Sequence, residues 1–292
     1  MKRGFSDSPS SSSAKKVADH YSRRRNQTLE EREASPIIHL KKLNNWIKSV
    51  LIQLYTRPDD SVLDLACGKG GDLNKWDKAQ IGYYVGIDIA QGSIQDCRTR
   101  FDGKKLSFPS RLLCADCFEV ELDKVLQEDA PFDICSCQFA MHYSWSTEAR
   151  ARRALANVSA LLRPGEYSQK KFKTSSPFGI EYMFHLEDAV DCPEWIVPFN
   201  VFNSLAQEYD LELVFVKNSH EFVHEYMKKP EFVQLMTTLG ALGDQSTLSA
   251  DEWEAAYLYL SFVLRKRGES DEAQRKGRRK NGKMNLSIEG CC

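Results

Sequence analysis

Hydrophobic positions along the chain follow two different periods. Between Pro36 and Pro58, Ile37, Ile38, Leu40, Leu43, Trp46, Ile47, Val50, Leu51 and Leu54 recur every three or four residues, which predicts an amphipathic helix. Pro58, Asp59 and Asp60 then close it with a turn. The next hundred residues alternate short apolar runs with helical stretches. Strands are predicted at 61–66 (SVLDLA), 83–88 (YYVGID), 111–115 (RLLCA) and 132–140 (FDICSCQFA). Helices are predicted from 71–76, Ser93 to Phe101 and Thr147 to Leu162. Strand and helix in alternation predict parallel βαβ units and a doubly wound α/β sheet.

Beyond residue 165 the pattern loosens. IEYMFHLE (180–187), LELVFVK (211–217) and YLYLSFVLRK (257–266) read as strands, and Pro198 to Tyr209 as a helix. Ser249 with Glu252 three residues on is a capping-box signature before EWEAA. Residues 1–16 are Ser-rich and 267–292 are polar and basic, so both are expected to be disordered tails around a domain at 17–266.

Composition narrows the classes. Hydrophobic residues make up 42% of the 292 positions, enough for a sizeable core, so global disorder is excluded. No run of about 18 apolar residues occurs, so no membrane span is expected. The start, MKRGFSDSPSSSSAKK, has no apolar stretch of the secretory kind, so a cytosolic or nuclear chain is expected. Nine cysteines, mostly inside apolar runs, suit reduced thiols. Cys114 and Cys117 straddle a strand end, while Cys135 and Cys137 alternate along a strand. Buried thiols therefore fit better than zinc ligands, and no metal is expected. A net charge of −1 argues against coating nucleic acid by bulk charge and leaves room for a local basic patch.

The strongest chemical signal is VLDLACGKGGD (62–72), where a strand runs through glycines into a helix. Glycines there permit a tight turn and close approach of backbone to a ligand. Asp88 ends the next strand, 20 residues after Gly68, where a carboxylate can accept both hydroxyls of a ribose. Asp116 follows the third strand, within reach of an adenine edge. The spacing is G-x-G-G rather than G-x-G-x-x-G, and carboxylates crowd the loop. A pyrophosphate is poorly served there, and a cationic nucleoside such as S-adenosylmethionine is better served.

Longer runs are more specific. They are LNNWIKS (43–49), VLDLACGKGGDLNKW (62–76), FDICSCQFAMHYSW (132–145), VDCPEW (190–195) and SADEWEAAYLYLSFVL (249–264). Together, and in this order, they resemble the eukaryotic mRNA cap guanine-N7 methyltransferases between Val17 and Leu264. The resemblance implies a sheet of the S-adenosylmethionine-dependent methyltransferase type, S-adenosylmethionine as methyl donor and GpppN-capped RNA as substrate. It also implies a nuclear location and, as further candidate partners, other capping or transcription proteins. By the same resemblance Lys48, Ala66, Gly68, Asp88, Asp116, Gln138 and Tyr143 face the cofactor, with Ala66 standing where the family often has Gly. Asn44, Asn45, Lys69, Lys75, Arg100, His142, Glu194 and Tyr259 line the cap site.

The implied chemistry suits those side chains. Guanine N7 already carries a free lone pair, so the reaction needs positioning and electrostatics rather than a catalytic acid or base. Glu194 can accept from guanine N1–H and the N2 amine. Lys69, Lys75 and Arg100 can balance triphosphate charge, and Phe139, Tyr143 and Tyr259 offer faces to a purine. Taken singly, many of these residues also fit structural roles. His142 fits a hydrogen-bonded histidine at a strand end, Asn44, Lys69 and Lys75 solvated helix residues, Glu194 a charge at a helix N-terminus, and Tyr259 strand packing.

One departure stands out. LLRPG (161–165) should lead into a central apolar strand, yet EYSQKKFK (166–173) follows, which cannot make a strand buried on both faces. By analogy a strand and part of the lid are absent near 165–176. Two readings follow: a methyltransferase, or a weak or inactive form that binds cap or cofactor.

Overall fold

Val62, Leu63 and Leu65 are all fully buried although they alternate along one strand, because helices cover both faces of the sheet. The computed structural model describes residues 9–164, 177–241, 248–268 and 288–290. In chain order, α1 (Pro9–Arg23), α2 (Leu29–Glu33) and α3 (Ile38–Tyr55) lead into β1 (Ser61–Leu65). The alternating core follows: α4 (Leu73–Lys78), β2 (Tyr83–Asp88), α5 (Gln91–Asp102), β3 (Ser110–Cys114), α6 (Leu122–Val125) and β4 (Ile134–Cys137). A 3₁₀ turn at Met141–Ser146 precedes α7 (Glu148–Leu161). The remainder comprises β5 (Glu181–Leu186), β6 (Val190–Trp195), α8 (Phe199–Glu208), β7 (Leu211–Asn218), α9 (Ser219–Tyr226), α10 (Pro230–Leu239), α11 (Ala250–Tyr257), β8 (Leu260–Lys266) and β9 (Ile288–Gly290).

The main sheet has the order β4-β1-β2-β3-β9, every pair parallel. The strand order reverses direction between β1 and β4, the place where open α/β sheets bind ligands at their carboxyl ends. One face packs Leu63, Leu65, Val85, Ile87 and Leu113 against α6 and α7. The other packs Val62, Tyr84 and Leu112 against α4 and α5. Two antiparallel ladders, β5–β6 and β7–β8, stand apart from it.

A second core joins α3 to α9, α10 and α11 through Leu40, Leu43, Trp46, Phe222, Met236 and Ala256. Glu252 pins it. It closes the predicted capping box with Ser249, and its other oxygen accepts from the Leu40 N–H at 2.9 Å, an orphan donor of the first turn of α3.

Several boundaries differ from expectation. The helix α1 begins at Pro9, inside the stretch expected to be a tail. Serines are weak helix formers, and tertiary docking compensates: Val17 is buried beside Trp145 and Trp195. The expected tail at 267–292 contributes β9, which pairs with the outer edge of β3. Tyr257 ends α11 and Tyr259 precedes β8, so the predicted strand at 257–266 starts at Leu260. The expected gap at 165–176 and the RKGRRK run at 275–280 lie outside the described residues.

Candidate active site

The glycine loop leaves β1 in left-handed backbone at Ala66 (φ 55°), Gly68 (φ 55°) and Gly70 (φ 68°). At Ala66 that conformation costs about 1 kcal/mol relative to glycine, which explains why an alanine there reads as a departure. A side chain built on Gly68 would meet nothing within 4 Å, so its backbone borders open space at the carboxyl rim of the sheet. Gly70 has no such room, because a Cβ would collide with Cys97 and Leu73.

Carboxylates ring this loop. Asp88, buried at the end of β2, accepts from the Gly68 N–H and the Ala90 N–H, each at 2.8 Å. Burial raises its pKa, and those two N–H groups oppose the rise. Asp72 accepts from Lys48 at 2.9 Å and from Lys75 at 2.6 Å, and Lys75 also donates to Asn45 Oδ1 at 3.1 Å. Burial pushes the Asp72 carboxyl up, but the two lysines hold it below its ordinary value. Sequence reasoning placed Asp72 in the loop without a role, yet it gathers Lys48, Lys75 and Asn45 into one cluster.

Asp116, expected on the adenine side, follows β3 and has a protein partner of its own. Its carboxylate forms a bidentate pair with Arg150 of α7, at 2.8 and 3.1 Å, and accepts the Phe118 N–H. The loop between β3 and α6 is thereby fastened to α7. Lys69 pairs with Asp96 at 2.7 Å and donates to the Arg24 carbonyl, which ties the chain beyond α1 to the glycine loop.

A second cluster faces it across the switch point. Glu194, buried on β6, accepts from the Tyr182 hydroxyl at 2.9 Å and lies 3.3 Å from His142 Nε2. The contact's geometry is too poor for a hydrogen bond, so that nitrogen remains buried without one. Tyr143, beside His142 in the 3₁₀ turn, meets Tyr21 of α1 hydroxyl to hydroxyl at 2.9 Å. Burial raises its pKa. Phe139 sits just beyond β4 with φ 58°, a strained conformation for a bulky residue. Its ring meets Tyr259 edge-on at 5.3 Å, and Lys48 lies over it at 5.9 Å, linking the two clusters. Burial and the Glu194 charge push the Tyr259 hydroxyl up to about 12. Gln138 lines the same cavity. The side-chain Oδ1 of Asn44 on α3 is buried without a hydrogen-bond partner.

The structure therefore brings together Lys48, Lys75 and Asn45, and separately His142, Tyr143, Glu194 and Tyr259. It does not join Arg100 to either group. That residue is in the last turn of α5, whose first turn is the one at the rim. Sequence reasoning missed Tyr21, Tyr182 and Arg150, because their partners are distant in the chain. The cysteines pack as expected of thiols, with Cys135 and Cys137 against one face of the sheet and Cys97 in the core of the other.

Asp64, in the middle of β1, accepts from the Tyr84 hydroxyl at 2.9 Å. Burial and the Asp72 charge push its carboxyl up to about 7. A folded pKa above the unfolded value means that the penalty is absent below about pH 4, grows as pH rises and is complete above 7. Asp64→Asn should remove it. In urea unfolding, the stability of the variant minus that of the parent should be larger at pH 8 than at pH 4.5, by on the order of a few kcal/mol. A difference that does not change with pH would refute this.

A glycine turn at a topological switch point, with the buried carboxylate of Asp88 at the end of the next strand, defines a nucleoside-binding α/β protein of the S-adenosylmethionine-dependent methyltransferase type. The sequence pattern of the mRNA (guanine-N(7))-methyltransferase domain matches residues 5–168 and 166–267. A protein of Arabidopsis thaliana named mRNA cap guanine-N(7) methyltransferase 1 is 72% identical over 361 aligned positions, covering 98% of each chain. Its namesake in Oryza sativa is 63% identical, covering 97% of this chain and 90% of that one. Among solved structures, an S-adenosylmethionine-dependent methyltransferase from Clostridium acetobutylicum is 14% identical over 61% of this chain and 83% of its own, with a TM-score of 0.44. The chain belongs to the mRNA (guanine-N(7))-methyltransferase family.

Proposed function

We propose that this chain transfers a methyl group from S-adenosylmethionine to N7 of the guanosine cap of GpppN-RNA. The observation that carries the reading is the pair of clusters meeting across the switch point, with carboxylates around the glycine loop on one side and Glu194 with its aromatic neighbours on the other. The residues present fit the cofactor. Gly68 offers open backbone, and Asp88 a buried carboxylate at the end of β2 on the same rim.

When bound, S-adenosylmethionine supplies an electrophilic methyl on a sulfonium. The chain's own residues position and polarise. Glu194 holds the Watson–Crick edge of guanine, which leaves N7 on the far side of the ring free to react. Its charge also favours the positive purine that forms. Phe139 and Tyr259 border the purine plane, and Lys75 and Lys69 balance cap phosphates after exchanging their carboxylate partners. No side chain has to move a proton. Nuclear location belongs to the same proposal, supported by the basic run at 275–280.

The separation of β8 from the main sheet favours a second reading of the rate alone, a form that binds and turns over slowly. Incubation with methyl-labelled cofactor and either GpppA- or ApppA-capped RNA separates the two. Label on GpppA-RNA only is expected. Cofactor binding without transfer would support the slow form, and transfer to both RNAs would refute guanine recognition.

A further inference from the structure

Between β4 and β8 the fold contains an open slot. β4 pairs with β1 on one side and β8 with β7 on one side, and neither has a second ladder among the described residues. Their free edges, Ile134–Cys137 and Leu260–Lys266, line one cavity of about 1600 Å³. The same cavity takes in Gln138, Phe139, His142, Glu194 and Tyr259, so the slot opens into the candidate cap site. The faces of the slot are apolar. Ile52 of α3 packs in one cluster with Ile134, and Val158 of α7 with Cys135 and Cys137, while Ile47, Leu51 and Leu155 also line the cavity.

The chain itself takes the first step into this slot. After α7, the Phe132 N–H donates to the Leu161 carbonyl at 2.8 Å and the Arg163 N–H to the Phe132 carbonyl at 3.0 Å, a parallel bridge. From the other side, the Lys266 ammonium donates to the Leu162 carbonyl at 2.9 Å, and Pro164 lies against Gly268. Residues 162–164 thus stand between the start of β4 and the end of β8. A strand continuing from there runs parallel to β4. The sequence that follows, EYSQKKFK, has three lysines and a glutamate and does not suit a strand buried on both faces.

The Arabidopsis relative is longer than this chain. The 361 positions aligned with the Arabidopsis protein exceed the 292 residues here by 69, so that relative carries at least 69 residues without a counterpart in this chain. The two family matches meet at 166–168, just past the residues that enter the slot.

We propose that the slot is a docking site for one extended, apolar β-strand supplied in trans, drawn from the residues by which the Arabidopsis relative exceeds this chain. β8 offers seven residues of edge, so a strand of about seven residues, roughly 23 Å long, spans it. Backbone ladders on both sides give affinity, and the α3 and α7 faces select β-branched and aromatic side chains. A second copy of this chain is a poorer occupant, because both free edges face into one cavity and the edge of an intact sheet cannot enter it.

The test uses the full chain and a fluorescein-labelled peptide of the relative's sequence directly following its counterpart of Pro164. Saturable one-to-one binding by anisotropy is expected, with a melting temperature raised by several degrees. Amides of Ile134–Cys137 and Leu260–Lys266 should gain protection from hydrogen exchange. A scrambled peptide and one with proline at its centre should bind at least about ten-fold more weakly, since proline removes a ladder donor. The proposal is overturned by absent binding, by equal binding of the scrambled peptide, or by sedimentation showing dimers that exclude the peptide. None of these readouts depends on methyl transfer, so its failure leaves the reaction assignment standing.

Discussion

Asp88→Ala is expected to weaken S-adenosylmethionine binding by roughly 10²–10³-fold, read by isothermal titration. The carboxylate is buried at the end of β2, and both of its oxygens hold backbone: Gly68 of the glycine loop and Ala90 at the start of α5. The proposed ribose contact adds to that. A hydrogen bond to a charged group contributes about 1.5–3 kcal/mol, and two hydroxyls are involved. The substitution also frees the loop, so the melting temperature without cofactor should fall as well. Asp88→Asn separates the effects. It retains one acceptor for the loop and should recover much of the stability while recovering little affinity, because an amide cannot accept two ribose hydroxyls with charge. Cofactor affinity unchanged in Asp88→Ala would remove this residue from the site.

The parts of this site that were legible in the sequence lie on local patterns. The strands β1 to β4 were bounded by turn residues and rich in Val, Ile and Leu, and β2 was read residue for residue. The eighteen residues of α3 followed from spacing alone, since Leu40, Leu43, Ile47 and Val50 face one core. By contrast β6 was not read as a strand. Its sequence, VDCPEW, contains a proline and two acids and tolerates them because it pairs only with β5. That error carried a consequence: the bland alternative for Glu194 was a helix N-terminus, whereas the residue is buried in a strand against Tyr182 and His142.

The illegible parts are long-range pairings. Nothing local marks Asp72 as the acceptor for Lys48, 24 residues earlier, or Arg150 as the clamp on Asp116, 34 residues back. Tyr21 lies just beyond the Ser-rich stretch expected to be a tail, and no local pattern marks its hydroxyl as the partner of Tyr143 at the site. The expectation of a gap after Pro164 rests on composition instead, and the segment lies outside the described residues. A strand buried on both faces has so restrictive a composition that a single run of lysines argues against one.

Glu194→Gln is expected to lower kcat/KM for GpppA-capped RNA by roughly 10²–10⁴-fold while leaving S-adenosylmethionine affinity within about two-fold. The carboxylate oxygens now take the Tyr182 hydroxyl and face His142. With cap bound, they are placed to accept from the two donors on the guanine edge. An amide keeps the shape but turns one acceptor into a donor, which then opposes N1–H or the N2 amine. Part of the loss should fall on kcat rather than KM. Methylation leaves the purine positively charged, so a carboxylate on its edge binds the transition state more tightly than the substrate. Discrimination between GpppA and ApppA should narrow by the same mechanism, because an adenine presents a donor where guanine has O6 and lacks the N1 proton. Near-isosteric Gln should leave the melting temperature within a few degrees, so a folding defect would not explain the result. An unchanged GpppA preference in a folded variant would take Glu194 out of guanine recognition. A loss confined to KM would leave it a binding residue with no share in stabilising the cation.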